Sequence, residues 1–491
     1  MEIERRFVLV PCSMKRFLKS RGIDYETFKV EQFYLVAEGD RVERYRRFGD
    51  RFVKTVKTGR GLVRQEIETP IDARSYEDAK RRNHGGVIRK IRRVFKYEGY
   101  LYELDSFKSP FKGLHILEIE FAHEREALSY RLPEIFREIL LAEVTGVADY
   151  SNGALSKRDF IPSLPASLSA LLTQIEEREN FLKASVALRL EPLMPCAYAI
   201  KGIFHSLHHT IEVNRRAILS GDKDTERLHQ FRVAMRKMRA LLSQTSPLFD
   251  PQWYENQKSV LAALMRRTGA KRDIDVYLGL MRRYREMIPE TYHEGLHRLE
   301  DYLKSVNVEE ERKLLAFMGS DELVSALETI ETFALSEKEV GLRDEAMQAL
   351  SPFVKRLMKR RYTKVIEKGS SIDFDAPAGE YHELRIEVKK LRYMMEFYAS
   401  LMEPQSYETM IGRLKKLQTI LGDHQDLEVQ RGHLKAFTKL PDLHDTKTRE
   451  AIDTLRHVMT KLEKQKRREF HEIFGSFVKT STLFHRMVCR F

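Results

Sequence analysis

The chain has 491 residues, 42% hydrophobic and 32% charged, with 86 Lys and Arg against 73 Asp and Glu and a net charge of +13. That length suits about three domain-sized units, and the excess of cations makes a polyanion the default partner. Cys12, Cys196 and Cys489 lie far apart, no run of 18 apolar residues occurs, and MEIERRF lacks the apolar stretch of a secretory signal; these features argue against a disulfide framework, a spanning helix and export, so a cytoplasmic protein is expected.

Residues 1–160 read as strands. MEIERRFVLV, RVERYRRF, RFVKTVKT, LVRQEIET, VIRKIRRVF, YLYELDSF and HILEIEF alternate with period two, and glycine-containing turns such as Thr58–Gly61, Glu98-Gly99 and Lys112-Gly113 separate them. Helical signal is confined to about 11–21 and to PEIFREILLAEVTG, which ends at Gly146. The polar positions of the strands are nearly all charged and come as i, i+2 sets. They are Glu2, Glu4 and Arg6; Arg44 and Arg46; Arg64, Glu66 and Glu68; Lys90 and Arg92; Glu103 and Asp105; Glu118 and Glu120. Period two puts each set on one face of its strand. The alternate positions Ile3, Ile67, Leu104 and Ile119 are apolar and are expected to pack under helices. A sheet closed with these charges inward has to be wet, internally paired or filled by an ionic ligand, because unpaired buried charge costs several kcal/mol, roughly. Carboxylate pairs suit Mg²⁺ or Mn²⁺ and the cations suit phosphate oxygens, so the pattern points to a metal–polyphosphate site.

In their order these motifs resemble the CYTH superfamily, the triphosphate tunnel metalloenzymes. MEIERRF is similar to that family's ExExK opening. After it come an RxR strand (Arg44, Arg46), TxK (Thr55, Lys57), RxExE (Arg64, Glu66, Glu68), KxR (Lys90, Arg92) and a late ExE (Glu118, Glu120); EVTGVADYSNGALS is similar to the tail of bacterial members. The resemblance implies an eight-stranded antiparallel barrel and hydrolysis of a triphosphate, with cyclisation of ATP as a variant chemistry. It further implies Glu2, Glu4, Glu118 and Glu120 as ligands of Mg²⁺ or Mn²⁺, and Glu66 and Glu68 as further metal- or water-positioning carboxylates. Arg44, Arg46, Lys57, Arg64, Lys90 and Arg92 would grip the phosphates. The motif's lysine is here Arg6, which keeps the charge but cannot readily give up a proton. If the family lysine handles protons, turnover is reduced, and a non-catalytic, granule-associated polyphosphate-binding protein is the second reading.

FIPSLPASLSALLTQ, with Pro162 and Pro165, reads as a linker running into a helix. Beyond about residue 190 long amphipathic helices replace the strands. The expected units are 1–160, a linker at 161–194, and helical repeats at 195–335 and 336–491, an α+β chain with an all-α C-terminal part.

The helical part repeats itself. LHQFRVAMRKMRALL (228–242) returns as YHELRIEVKKLRYMM (381–395), and GAKRDIDV at Gly269 returns as GDHQDLEV at Gly422, both at an offset of 153 residues. Two matches at one spacing identify a duplication. His229, Arg232, Arg236 and Arg239 are spaced 3, 4 and 3, on one helix face, and recur as His382, Arg385, Lys389 and Arg392; Lys237 recurs as Lys390. A row of like charges is unfavourable without an anion. Asp273, Asp275, Asp426 and Glu428 are the candidate internal partners. Neither histidine has a second ligand at metal spacing, so a hydrogen bond or pH-dependent charge is the expected role.

These helices resemble the CHAD domain, which implies two four-helix bundles related by a pseudo-twofold axis and a basic groove that binds inorganic polyphosphate. All ten residues of the two stripes are then polyphosphate-binding candidates. The expected partners are polyphosphate and tripolyphosphate. Nucleic acid is disfavoured because no aromatic stacking platform accompanies the basic residues.

Overall fold

The computed structural model describes residues 3–10, 13–36, 41–58, 65–178 and 180–488. Among these residues nine strands, β1 (Ile3–Leu9), β2 (Glu26–Val36), β3 (Arg41–Phe48), β4 (Arg51–Thr58), β5 (Gln65–Ile71), β6 (Ile88–Tyr97), β7 (Tyr100–Phe107), β8 (His115–Phe121) and β9 (Leu140–Glu143), form one antiparallel sheet. Its order is β5-β4-β3-β2-β6-β7-β8-β1-β9. The short helices of this half are α1 (Met14–Ser20), α2 (Ala73–Arg81), α3 (Glu124–Ser129), α4 (Glu134–Arg137) and α5 (Asn152–Leu155), and α6 (Leu168–Glu176) follows in the linker.

The antiparallel strand domain is as expected, with two strands the sequence did not signal. β2 is central, and its neighbours Gln32 and Phe33 are both fully buried, so two-sided burial hides its alternation. β9 lies where PEIFREILLAEVTG predicts one helix. The helix lasts a single turn as α4, and the chain then pairs with the free edge of β1 through Phe7–Glu143 and Val8–Ala142. The end strands β5 and β9 do not pair with each other among the described residues. The sheet nevertheless curls: Tyr34 on β2 is within electrostatic reach of Glu118 on β8, three places along the sheet.

Period two divides the sheet into an apolar outer face and a charged inner one. Outside, Phe7, Leu9, Phe95, Tyr102, Leu104, Leu117 and Ile119 pack with Leu18 of α1 and Phe136 of α4. Tyr76 of α2 covers Phe33 and Phe52. Ile67 is a correction: it is 56% exposed, on end strand β5. Along the inner face the charges give way to Val8, Ile88, Phe107 and Ile116, which join Tyr150, Leu155, Ile161, Leu193 and Ala349 in one buried cluster. This apolar plug closes one end of the lumen. The same cluster ties the strand half to the helical half, helped by the Ala349 N–H donating to Ile161 O (2.9 Å) and the Leu164 N–H to Leu193 O (2.8 Å).

The helical half contains α7 (Cys196–Leu219), α8 (Thr225–Gln244), α9 (Pro251–Arg267), α10 (Gly269–Met287), α11 (His293–Met318) and α12 (Asp321–Leu335). Then come α13 (Leu350–Ser371), α14 (Ala378–Phe397), α15 (Pro404–Phe437), α16 (Thr446–Val478) and α17 (Ser481–Met487). The offset of 153 carries α8 onto α14 residue for residue and Pro251 onto Pro404. The apolar stripe Phe231, Ala234, Met235, Met238, Leu241 and Leu242 is buried, as its spacing requires. The repeats are not separate bundles. Equivalent helices meet across the junction, α8 with α14 and α11 with α16. Leu296, Leu299 and Leu303 of the first repeat share a core with Ile452, Leu455 and Met459 of the second. Among the described residues no helix is long and apolar enough to cross a membrane.

At the α11–α16 crossing a Cβ on Gly295 would stand 2.3 Å from Lys447 O, a backbone atom that cannot swing aside. Gly295→Ala should therefore destabilise the helical half by about 2 kcal/mol, an overpacking cost larger than the gain in helix propensity. Chemical denaturation measures it, and an unchanged midpoint would show that the helices separate freely there.

Candidate functional site in the strand lumen and the helical groove

Strand register brings the motif residues to one surface. Arg46 faces Gln32, Arg44 pairs in register with Thr55, and Thr55 with Glu68. Arg92 lies opposite Asp105, Glu103 opposite Glu118, Glu118 opposite Arg6, and Glu120 opposite Glu4. Glu2 and Arg64 lie outside the described residues, as do the side chains of Lys57 and Glu66.

At the centre of the lumen sits Asp105, fully buried, with ion pairs to Lys90 and Arg92. Arg92 also donates to Glu118 (2.8 Å) and Glu103, and Lys90 reaches Asn152 Oδ1 at 3.4 Å. Burial acts to raise the Asp105 carboxyl, but Lys90 and Arg92 outweigh it and hold the group below its ordinary range. Burial pushes Lys90 down despite Asp105. Glu118 is raised by burial and by the neighbouring Asp105 and Glu4. Towards the mouth, Arg6 pairs with Glu4 at 2.9 Å, and Arg44 with Glu68 at 2.9 Å. Arg46 differs. It makes no hydrogen bond or ion pair among the described residues, its Nε is buried without a partner, and burial with the nearby Arg44 and Arg92 depresses its pKa.

The lumen can therefore hold an anion against Arg46. Glu4, Glu118 and Glu120 fit a hard divalent cation by donor type and by their shared inner face. The raised Glu118 is carboxylate charge that such an ion would compensate. Among the described residues no three acidic, His or Cys side chains converge on a single metal position. Asp105 and Glu103 appear in the sequence as an acidic i, i+2 pair, but nothing local marks Asp105 as the anchor of two cations. Gln32 and Tyr34 go unnoticed with their strand.

In the helical half the two stripes meet where α8 crosses α14. Arg236 and its repeat counterpart Lys389 lie close enough to interact, which puts the pseudo-twofold axis between them. Neither has a hydrogen-bond or ion-pair partner among the described residues, and the same holds for Arg239. Burial lowers Lys389 to about 8, helped by Arg385 and Arg236. Arg232, which burial and Arg236 lower to about 10, donates to Met265 O (2.9 Å) and Thr268 Oγ1 (2.6 Å), where α9 breaks before α10. Its counterpart Arg385 instead faces Asp426 at 3.4 Å on the unbroken α15. His382 Nδ1 contacts Gln425 Oε1 at 2.7 Å, whereas burial and Arg272 depress His229. Among the described residues Asp426 alone of the candidate acidic partners forms an ion pair with the stripe; Asp273 lies within electrostatic reach of Arg232, Asp275 pairs with Lys271 and Glu428 with Arg431.

Lys237 is a correction. It is buried, donating to Ala184 O (2.6 Å) and pairing with Glu396 (2.7 Å), so it is a packing lysine. Its position just after Arg236 puts it on another helix face. Lys390 pairs with Glu387 at 2.9 Å and Arg392 with Glu396 at 3.0 Å, so both are partly neutralised. Arg272, from the RDIDV motif, joins the His229 cluster unanticipated.

Comparison with known proteins divides the chain in the same way. Residues 202–435 match the family model of the CHAD domain. The N-terminal part is 34% identical over 146 residues to an inorganic triphosphatase of Nitrosomonas europaea, covering 29% of this chain and 94% of that protein. It is 32% identical over 161 residues to an inorganic triphosphatase of Acetivibrio thermocellus, covering 32% of this chain and 95% of that one. The crystal structure of the CHAD domain from the plant Ricinus communis matches with a TM-score of 0.50 at 20% identity, over 60% of this chain and 96% of that chain, a likeness of fold.

Asp105→Asn leaves Lys90 and Arg92 buried against a neutral group. A stability loss of about 3 kcal/mol is expected, because one partner of a buried pair has been removed. Urea unfolding followed at the strand half measures it, and a loss below about 1 kcal/mol would mean that water already screens the lumen.

Proposed function

The chain belongs to the CYTH-type inorganic triphosphatases, here fused to a CHAD domain, and from this we propose a metal-dependent triphosphatase whose helical groove binds inorganic polyphosphate. The observation that carries the first part is Arg46, a lumen guanidinium within electrostatic reach of Arg44 and Arg92 that makes no ion pair among the described residues. A linear triphosphate supplies the opposite charge along a row of cations. Arg44, Arg46 and Arg92 are the grips with described side chains, and Lys57 and Arg64 complete the family set. Lys90, expected as a further grip, is instead buried against Asp105, which holds Arg92 in position from below, and the apolar plug limits how far a chain can enter.

Hydrolysis breaks the bond between the terminal phosphorus and its bridging oxygen as water attacks, releasing phosphate and diphosphate. Positioning and charge neutralisation supply most of the acceleration in such reactions. Glu4, Glu118 and Glu120 would hold Mg²⁺ or Mn²⁺, with Glu2 beside them in the motif, and the ion would offset charge on phosphate oxygens. Glu68 lies by the mouth, more than half exposed, where it can orient water. Arg6, locked to Glu4, serves as a fixed charge. Phosphate release from tripolyphosphate should require Mg²⁺ or Mn²⁺ and stop with a chelator. Glu118→Gln should lower kcat by about 100-fold, the usual size for loss of one charge-positioning group. Metal-independent release, or full activity in that variant, would overturn the reading.

For the groove the support is the pair Arg236 and Lys389, equivalent residues within electrostatic reach of each other at the pseudo-twofold axis and without an ion-pair partner among the described residues. A polyanion lying across it would neutralise both repeats at once. Because Lys389 in the free protein titrates at about 8, its charge is present below that pH and lost above it. Polyphosphate affinity should therefore fall as pH rises through about 8, with proton uptake on binding there, and Lys389→Met should flatten this step. Arg236→Ala should weaken binding and lower the salt slope by about one, as for a lost phosphate contact, while tripolyphosphate hydrolysis stays unchanged. Titration calorimetry in two buffers of different ionisation enthalpy reads the proton. Unchanged affinity in both variants would take the groove away from this axis.

A further inference from the structure

The duplication provides an internal comparison outside both sites. In the second repeat Arg431 on α15 donates to the carboxylate of Glu428 at 2.7 Å and to Thr460 Oγ1 on α16 at 3.3 Å. At the offset of 153 the first repeat has Leu278 for the arginine, Asp275 for Glu428 and Asn307 for Thr460. Both acceptors are kept and the donor is gone. The Asp275 side chain is 4% exposed, and its Oδ1 accepts from Lys271. Its Oδ2 and Asn307 Oδ1 are buried with no hydrogen-bond partner among the described residues.

Asp275 and Asn307 line a cavity of about 570 Å³ between α8, α10 and α11, with Leu228, Leu278 and Leu314 in its walls. Asp222, Asp224 and Glu311 also line it, so four carboxylates stand against Lys223 and Lys271 in the lining and Arg227, which pairs with Asp222 at 2.7 Å. Both lysines are engaged with Glu311, at 3.4 and 3.1 Å. In a chain of net charge +13, this cavity is locally acidic. A buried carboxylate oxygen and a buried amide oxygen without donors are unfavourable, and a matched donor relieves both.

We propose that the cavity binds a small organic cation bearing a guanidinium or primary ammonium group, whose N–H donors take Asp275 Oδ2 and Asn307 Oδ1. The second repeat meets the same pair of positions with a guanidinium, and the leucine walls suit the methylene stem of such a cation better than a hydrated metal ion. The bound group would bridge α10 and α11 as Arg431 bridges α15 and α16. The site is independent of the triphosphatase and polyphosphate readings.

Titration of the full chain with agmatine, which has one guanidinium and one ammonium end, should give saturable one-to-one binding and a raised Tm. Spermidine, with ammonium groups alone, tells which donor is preferred. Tetramethylammonium has no N–H donor and should not bind. Leu278→Arg supplies the second repeat's own arginine and should abolish agmatine binding. Asn307→Leu should weaken it by about tenfold, the loss of one hydrogen bond in a buried site, and carries the same test if the arginine variant does not fold. The proposal fails if neither cation saturates, if both variants bind as the wild type does, or if Mg²⁺ at equal concentration displaces agmatine.

Discussion

Charge taken out of water is the constraint from which the rest of the molecule follows. Asp105 has no solvent contact, and Lys90 and Arg92 facing it hold its carboxyl below the ordinary range against the effect of burial. Those cations are in turn tolerable only because Asp105, Glu103 and Glu118 surround them. The network consumes part of the lumen's charge internally and leaves Arg46, near the like charges Arg44 and Arg92, without an ion-pair partner among the described residues. Towards the linker the lumen stops being polar at all, and the plug of Val8, Ile88, Phe107 and Ile116 joins the core of the domain junction. Ligand space and domain attachment thus meet in one cluster.

The same physics operates with the opposite outcome in the helical half. Where α8 crosses α14 the equivalent residues Arg236 and Lys389 approach each other, and burial, with Arg385 and Arg236 nearby, lowers the basicity of Lys389. The contact survives because the helices are held elsewhere, by the shared core of α11 and α16 and by the close approach at Gly295. Packing energy holds the like charges together, and a polyanion would recover what their repulsion costs.

Duplication did not leave two identical halves. α15 runs unbroken through the position where α9 gives way to α10. That break frees Met265 O, and Arg232 turns to it, whereas Arg385 stays directed at Asp426. Leu278 lines a cavity in the first repeat, whereas its counterpart Arg431 donates to Glu428 and Thr460 in the second. Each difference is a donor moved or lost opposite an acceptor that was retained.

Much of the fold is legible in the residues alone, because both periodicities are local. RVERYRRF, RFVKTVKT, YLYELDSF and HILEIEF match β3, β4, β7 and β8 end to end, and the repeat offset predicts α14 from α8 without error. The inner face of the sheet is likewise fixed by i, i+2 spacing. Two elements escape for physical reasons: β2 is buried on both faces, and β9 becomes a strand only because β1 offers an open edge. Which charges serve a ligand and which serve the fold is beyond local pattern. Lys237 sits in the basic helix as convincingly as Arg236, yet it finds Glu396, 159 positions later, and is spent on packing. Asp105 looks no different from Glu103 until strand pairing sets it against Lys90 and Arg92. Sequence determines the faces on which charges stand; only the tertiary structure decides their partners, because those partners come from distant segments and their worth depends on how completely water is excluded.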